Sequence, residues 1–160
     1  MWLSRSLAVL VVLLLAACGF QMRGAGSVPP EMARTYIAAE NVRSPFYRRL
    51  RDSLRNAGVE VVESPVEATA TFSIISDIPG QRVLSVSARN VPLEFEVYYT
   101  VYYSVQTADA TLLEARSQTL TRDYTWDETQ VLGKEKEEAL LRDAIVADLV
   151  RIVLIQLSAI

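Results

Sequence analysis

Leu93-Glu94-Phe95-Glu96-Val97-Tyr98-Tyr99-Thr100-Val101-Tyr102-Tyr103-Ser104-Val105-Gln106 is the stretch on which the fold turns. Leu93, Phe95, Val97, Tyr99, Val101, Tyr103 and Val105 occupy every second position. Glu94, Glu96, Tyr98, Thr100, Tyr102, Ser104 and Gln106 fall between them. Successive side chains of a β-strand point to opposite faces, so this period of two predicts a long strand with one face on a core. The opposite face, Tyr98, Thr100, Tyr102 and Ser104 with Thr71 of the preceding strand, is polar but nearly uncharged. It suits either solvent or a hydrogen-bonding partner surface such as a polar barrel lumen.

The period of two extends upstream. Ala70, Phe72, Ile74 and Ile78 read as one face of a strand and Thr71, Ser73 and Asp77 as the other, with Ile75 out of step. Pro79-Gly80 predicts a bulge or bend, after which Leu84, Val86 and Ala88 resume the alternation up to a turn at Arg89-Asn90-Val91-Pro92. Downstream, Asp109-Ala110 makes a second turn. Leu112 to Tyr124 is a strand whose poor alternation and Thr, Arg and Gln content mark it as a sheet edge.

Further out the period becomes helical. Thr35 to Glu40 predicts a first strand, and Ser44-Pro45 supplies an N-cap and a preorganised first helical residue. Phe46, Leu50, Leu54 and Ala57 then share one helix face, and Gly58 sits where a left-handed C-cap residue belongs. Val59 to Val62 returns to extended structure and Glu63-Ser64-Pro65 ends it, so strand, helix and strand predict a right-handed crossover. After a polar loop from Trp126 to Gly133, a last helix runs to about Leu157 with Glu135, Glu137 and Glu138 near its positive end. Its stripe is Leu141, Ala144, Ile145, Leu149 and Ile152, broadened by Leu140, Ala147, Val150, Val153 and Leu154. A stripe so wide fits a helix wedged between the sheet and the first helix, which is the expectation, or one that shows a partner part of its surface. The fold class that follows is α+β, with two helices packed on one face of a mixed, mainly antiparallel sheet of about four strands.

The N-terminal segment carries an address. Arg5 precedes an uninterrupted apolar core from Leu7 to Leu15, too short to span a bilayer, and small residues lead to Cys18, the sole cysteine. Leu15-Ala16-Ala17-Cys18 resembles a bacterial lipobox. That resemblance implies a signal peptide over residues 1–17, cleavage before Cys18 and a diacylglyceryl group on its sulfur. Gly19 in place of aspartate implies sorting to the outer membrane. Each buried acyl methylene contributes about 0.8 kcal/mol, so two or more chains hold a protein at the bilayer. An ordinary cleaved signal leaving an unmodified thiol is the competing reading, and an oxidising compartment disfavours a lone thiol. Residues 18–32, with Gly24, Gly26, Pro29 and Pro30, read as a tether, and residues 33–160 as a single domain.

Removing residues 1–17 removes Arg5 and no acid, leaving 15 basic against 19 acidic residues and a net charge of −4, which argues against a nucleic-acid partner. With no histidine in the chain, a Ser-His-Asp triad, a Cys-His pair and a histidine-ligated metal are excluded. Glu94 and Glu96 lie side by side on a strand face with no apolar pocket to separate their acidities, so they read as solvated or partner-facing rather than as a hydrolase pair. No phosphate-binding glycine loop and no zinc or calcium spacing is present. The reading is a non-enzyme with no cofactor.

Topology supplies the positive indication. Two chain reversals after Ala88 return the Trp126 to Lys134 segment to the end of the sheet where Arg89 sits. Arg89, Lys134, Arg122 and Lys136 beside Trp126 would suit a phosphorylated anionic ligand, arginine as a planar fork of donors and lysine as a mobile point charge. Against this, Arg89 reads equally as a solvated turn residue, and Lys134 and Lys136 as partners of Glu137 and Glu138. The arginine-rich face of the first helix, Arg48, Arg49, Arg51 and Arg55 with Arg43 before it, reads as a solvent side.

Cys18-Gly19-Phe20-Gln21-Met22-Arg23-Gly24, Val28-Pro29, Leu54-Arg55-Asn56-Ala57-Gly58-Val59-Glu60, Ser87-Ala88-Arg89-Asn90 and Leu132-Gly133-Lys134-Glu135, in this order and spacing, resemble the LPS-assembly lipoprotein (LptE) family. The resemblance implies an outer-membrane lipoprotein, lipid-anchored at Cys18 on the periplasmic side. It implies a plug within an LptD-like β-barrel, whose assembly the lipoprotein assists, and binding of lipopolysaccharide on its way to the outer leaflet. The family's basic positions at the hairpin tip and before the last helix match Arg89 and Lys134, but not Arg122 or Lys136. The alternative is another outer-membrane lipoprotein, a scaffold or inhibitor, with the same anchor and no lipopolysaccharide ligand.

Overall fold

The computed structural model describes residues 28–160, so the lipobox, Cys18 and most of the tether lie outside the described residues. The strands are β1 (Arg34–Ala39), β2 (Glu60–Val62), β3 (Ala70–Val86), β4 (Pro92–Thr107) and β5 (Thr111–Thr125), and the helices α1 (Pro45–Asn56) and α2 (Val131–Leu157). The sheet runs β2-β1-β3-β4-β5, five strands against the four or so expected, the short β2 making the difference. β1 is parallel to β2 and to β3, whereas β3–β4 and β4–β5 are antiparallel. The parallel pairing of β1 with β2 through α1 is the setting in which right-handed crossovers are the rule. β5 forms the expected edge.

β4 is oriented as its alternation demands. Val97, Tyr99, Val101, Tyr103 and Val105 are buried on the helix-bearing face, and Tyr103 stacks on Phe72 at 5.4 Å between ring centres. At the far end the pattern gives out. Phe95 is half-buried and Leu93 is exposed, because they lie near the hairpin tip. Glu96 is a second departure: instead of being solvated it is buried, its carboxylate 2.6 Å from the Arg82 guanidinium on β3 directly opposite. An uncompensated buried carboxylate would be costly, and Arg82 supplies the compensating charge.

β3 differs from its sequence reading in an instructive way. Ile75 is looped out of register with β4, so the bulge falls there and not at Pro79-Gly80, which stay paired with Tyr99 and Tyr98. One extra residue exchanges the two faces of the strand from there to the next register shift, between Val83 and Ser85. Asp77 therefore stands opposite Val101 on the helix side, while Ile78 stands opposite Thr100 on the other face and is exposed, the reverse of the expected assignment. β1 ends opposite Ile74, leaving the second half of β3 paired with β4 alone, a position where proline is tolerated. Gly80 is needed for space: a Cβ there would fall inside the Tyr98 ring.

The helices form one layer on that core face. Ser44 Oγ accepts the Tyr47 N–H at 3.0 Å, Pro45 opens α1, and Phe46, Tyr47, Leu50 and Leu54 are buried. Gly58 ends the segment at φ +87°, the left-handed conformation that its place after the helix predicts. α2 starts at Val131, a turn ahead of Glu135, so Gly133 and Lys134 lie inside the helix and not in the preceding loop. Its buried stripe is Ile145, Val146, Leu149, Val150, Val153 and Leu157. Ala144 is exposed and Leu141 and Ile152 are half-buried, a rotation from the expected stripe. The cause is that α2 lies between two neighbours, α1 on one side and β4 and β5 on the other.

The face without helices carries hydroxyls in register: Ser73 opposite Ser104, Ser76 opposite Tyr102, Tyr98 opposite Thr121, and Thr100 bonded to Thr119 through their hydroxyls at 2.9 Å.

Candidate functional site

The end of the sheet away from β2 is built by the β3–β4 hairpin turn and the segment leading into α2. Ser87 N–H donates to Val91 O at 2.8 Å, Asn90 N–H to Ser87 O at 2.9 Å, and Val91 N–H to Ser87 Oγ at 3.1 Å. Asn90 takes φ 62°, which asparagine tolerates because its short amide side chain adapts to the left-handed region. The turn leaves Arg89 exposed at its tip.

β4 and β5 then carry the chain out and back. Trp126 N–H donates to Leu93 O at 2.7 Å, fixing the returning chain against the hairpin, and the Trp126 ring meets Phe95 edge-on at 5.6 Å. Asp127 closes the next turn by accepting from Thr129 N–H at 2.9 Å, Thr129 Oγ1 at 2.7 Å and Gln130 Nε2 at 3.1 Å. The bonds from Thr129 hold the Asp127 carboxyl below its ordinary acidity range. Lys134 follows in the first turns of α2. Its Nζ lies 2.9 Å from Glu137 Oε2 and 3.4 Å from Thr125 Oγ1, and its side chain is only 16% exposed.

These pieces enclose an open depression of about 510 Å³ with Arg89 and Lys134 on its walls, Leu93 and Trp126 as apolar lining, and Asp127 and Glu128 on the loop side. Two of the four cations anticipated at this end are thus brought together. The other two are not. Arg122, opposite Val97 on β5, is held 2.7 Å from Asp148 of α2, and Lys136 is exposed outside the depression. Glu94 accepts from Ser85 Oγ at 2.7 Å and Glu96 pairs with Arg82, so the two carboxylates serve separate strand contacts. Among the described residues no cluster of three or more acidic, cysteine or histidine side chains is arranged to hold a metal.

Sequence reasoning missed the buttress beneath the site. Gln81 Nε2 donates to the Tyr124 hydroxyl at 2.6 Å and that hydroxyl donates to Glu138 Oε2 at 3.1 Å. Arg142 donates from Nε to Glu138 Oε1 at 2.8 Å and from its terminal nitrogen to Gly80 O at 3.3 Å. The Glu138–Arg142 spacing of one helical turn was a visible signal, but its link to Tyr124 is long-range and was not. Burial and the neighbouring Glu138 carboxylate push the Tyr124 phenol up to about 12. The folded state therefore holds that proton more tightly than the unfolded chain, whose tyrosine ionises near 10. Stability from this group is intact below pH 10 and is lost as pH rises from about 10 to about 12. Urea unfolding across that window is expected to show a decline that Tyr124→Phe reduces; an identical decline in the variant would contradict the assignment.

Fold and site together define a class: small two-layer α+β domains that carry an open, cation-edged depression at one end of the sheet. Residues 31–157 match the LptE family model, described as lipopolysaccharide-assembly, and the chain belongs to that family. An LPS-assembly lipoprotein of Yersinia enterocolitica is 28% identical over 134 residues, covering 83% of this chain and 64% of the relative. The chain thus spans a little under two thirds of that relative's length. One from Pectobacterium atrosepticum is 30% identical over 141 residues, covering 83% and 72%. Among solved structures, an uncharacterized lipoprotein B from Nitrosomonas europaea superposes with a TM-score of 0.74 at 30% identity, covering 88% of this chain and 91% of that one. The rare lipoprotein B from Shewanella oneidensis gives 0.68 at 20% identity, covering 79% and 94%, a likeness of fold alone.

Proposed function

We propose that this chain is an outer-membrane lipoprotein, lipid-anchored through Cys18, that binds lipopolysaccharide at the Arg89–Lys134 depression and plugs an LptD-like β-barrel whose assembly it assists. The observation that carries the reading is the convergence of Arg89 and Lys134 on one depression from segments far apart in sequence. The mechanism is non-covalent. Arg89 offers a bidentate fork to a glycolipid phosphate, and Lys134 exchanges Glu137 for a second phosphate oxygen. Removing cation-bridged neighbours from an aggregate in this way needs no bond to be broken. The hydroxyl-bearing face of the sheet supports the plug reading, since a polar lumen is matched by hydrogen-bonding groups better than by apolar ones. No catalytic step and no cofactor enters.

Arg89→Asp combined with Lys134→Gln is expected to weaken lipopolysaccharide binding at least tenfold, with the circular dichroism spectrum and barrel association unchanged. Lys134→Gln spares the helix the repulsion that an aspartate beside Glu137 would introduce. Wild-type affinity in the double variant would overturn the site. The rival reading, a scaffold or inhibitor without lipopolysaccharide, is favoured by the Lys134–Glu137 ion pair, which already satisfies the lysine. Purification from outer membranes distinguishes the two, because only the first requires one-to-one recovery with a large barrel.

A further inference from the structure

We infer that the cavity between the end of β1 and the bulge of β3 is a binding site for one calcium ion, held by the carboxylates of Asp77 and Glu40 and by neutral oxygens around the bulge. The starting observation is a buried charge without a partner. Both carboxylate oxygens of Asp77 are buried, and neither has a hydrogen-bond partner in the protein. Asp77 also takes part in none of the ion pairs among the described residues. The Tyr99 hydroxyl stands beside it, yet one neutral hydroxyl does not offset a charge withdrawn from water. Glu96 shows the contrast, since the Arg82 guanidinium lies 2.6 Å from its carboxylate. An orphaned buried carboxylate is costly, and in a native fold it points to an ion or water as the missing partner.

The surroundings supply the other donors. Asp77 lines a cavity of about 60 Å³ together with Glu40, Asn41, Ile75 and Ser76, which is room for an ion and a few waters. The cavity exists because β1 and β3 part there. Ala39 opposite Ile74 is the last pair of the β1–β3 ladder, and the register shift at Ile75 follows at once, so neither ladder pairs Glu40 or Ile75. Their carbonyls and the Ser76 hydroxyl join the carboxylate oxygens around one small space. Asn41 Oδ1 accepts the Arg43 N–H at 3.0 Å and keeps a second lone pair. Calcium takes about six to eight oxygen ligands, carbonyls beside carboxylates, in an irregular shell, whereas magnesium demands near-ideal octahedral geometry. Two acids among neutral oxygens where a strand ends suit calcium, and its double charge cancels theirs. Bound there, it would tie the end of β1 to the half of β3 that has no other neighbour on that side. The site shares no residue with the Arg89–Lys134 depression and does not depend on its function.

The test uses residues 18–160 with Cys18→Ser as the reference chain, stripped with EDTA and then melted with and without CaCl2 at matched ionic strength. With a dissociation constant of about 1 mM, the weak end of calcium sites, about 10 mM CaCl2 is expected to raise its melting temperature by about 4–6 °C. Asp77→Asn is expected to abolish the rise and, in EDTA, to melt no lower than the reference chain, because the amide carries no charge to compensate. Glu40→Gln, at an exposed position where the fold is not at stake, is expected to cut the rise by at least half. Terbium gives a second readout, since Tyr99 beside Asp77 would sensitise an ion bound there. Emission excited through tyrosine is expected in the reference chain, displaced by CaCl2 and lost in Asp77→Asn. A melting temperature indifferent to CaCl2, a rise undiminished in either variant, or terbium emission undiminished in Asp77→Asn would each overturn the inference. Indifference to calcium with a lower melting temperature for Asp77→Asn in EDTA would reassign Asp77 to a structural contact with Tyr99.

Discussion

Tyr99→Asp is expected to leave the chain unable to fold. Tyr99 is 3% exposed on the helix-bearing face of β4, opposite Pro79, with its hydroxyl beside the Asp77 carboxylate and the start of α1 at Ser44 and Phe46. Burial, and then the Asp77 carboxylate, hold its phenol far above the ordinary range, so the hydroxyl stays protonated. Aspartate would remove the ring, and truncating a buried aromatic to alanine alone costs about 3–5 kcal/mol. It would also place a second carboxylate against Asp77 away from water, where burial and like charge both oppose ionisation. Together these approach the whole net stability of a small domain, about 5–15 kcal/mol. Tyr99→Phe, which keeps the ring, is expected to cost on the order of 1 kcal/mol. Urea unfolding followed by circular dichroism measures both, and a folded, wild-type-like aspartate variant would mean that β4 faces the other way.

The orientation of β4 was legible because one long run repeats the same alternation seven times, and no local accident competes with it. β3 was legible only as far as Ile74. A single looped-out residue, Ile75, leaves no compositional trace beyond a break in the pattern, yet it exchanges the faces of Asp77 and Ile78. By composition Pro79-Gly80 is the obvious breaker, but its strand lacks a partner on one side there and accommodates it. Glu96 shows a related limit, since its burial depends on Arg82 standing opposite, a fact of register and not of composition. At the depression, counting chain reversals sufficed to bring Arg89 and Lys134 to one end. Arg122 is drawn instead to Asp148 of α2, a contact set by helix placement that spacing along β5 does not show.

Leu149→Ala is expected to cost about 2–5 kcal/mol, whereas Leu140→Ala on the same helix should change stability by less than about 0.5 kcal/mol. Periodicity places Leu149 in the core stripe of α2 and Leu140 in the band that broadens it, but it does not say which side of that band is buried, since Leu141 and Ile152 of the stripe are only half-buried and Val150 and Val153 of the flank are buried. The difference comes from where the helix lies. Leu149 is fully buried between α1 and the sheet, so its loss leaves a cavity whose walls are held apart by α1, β4 and β5. Leu140 is 65% exposed and its methyl groups have little to leave behind. Thermal and urea unfolding of the two variants therefore measure the rotation of α2 about its own axis. Equal losses would place Leu140 in the core, and with it the opening turns of the helix that carry Lys134; a large loss at Leu149 alone fixes those turns at the rim, where Lys134 can reach the depression.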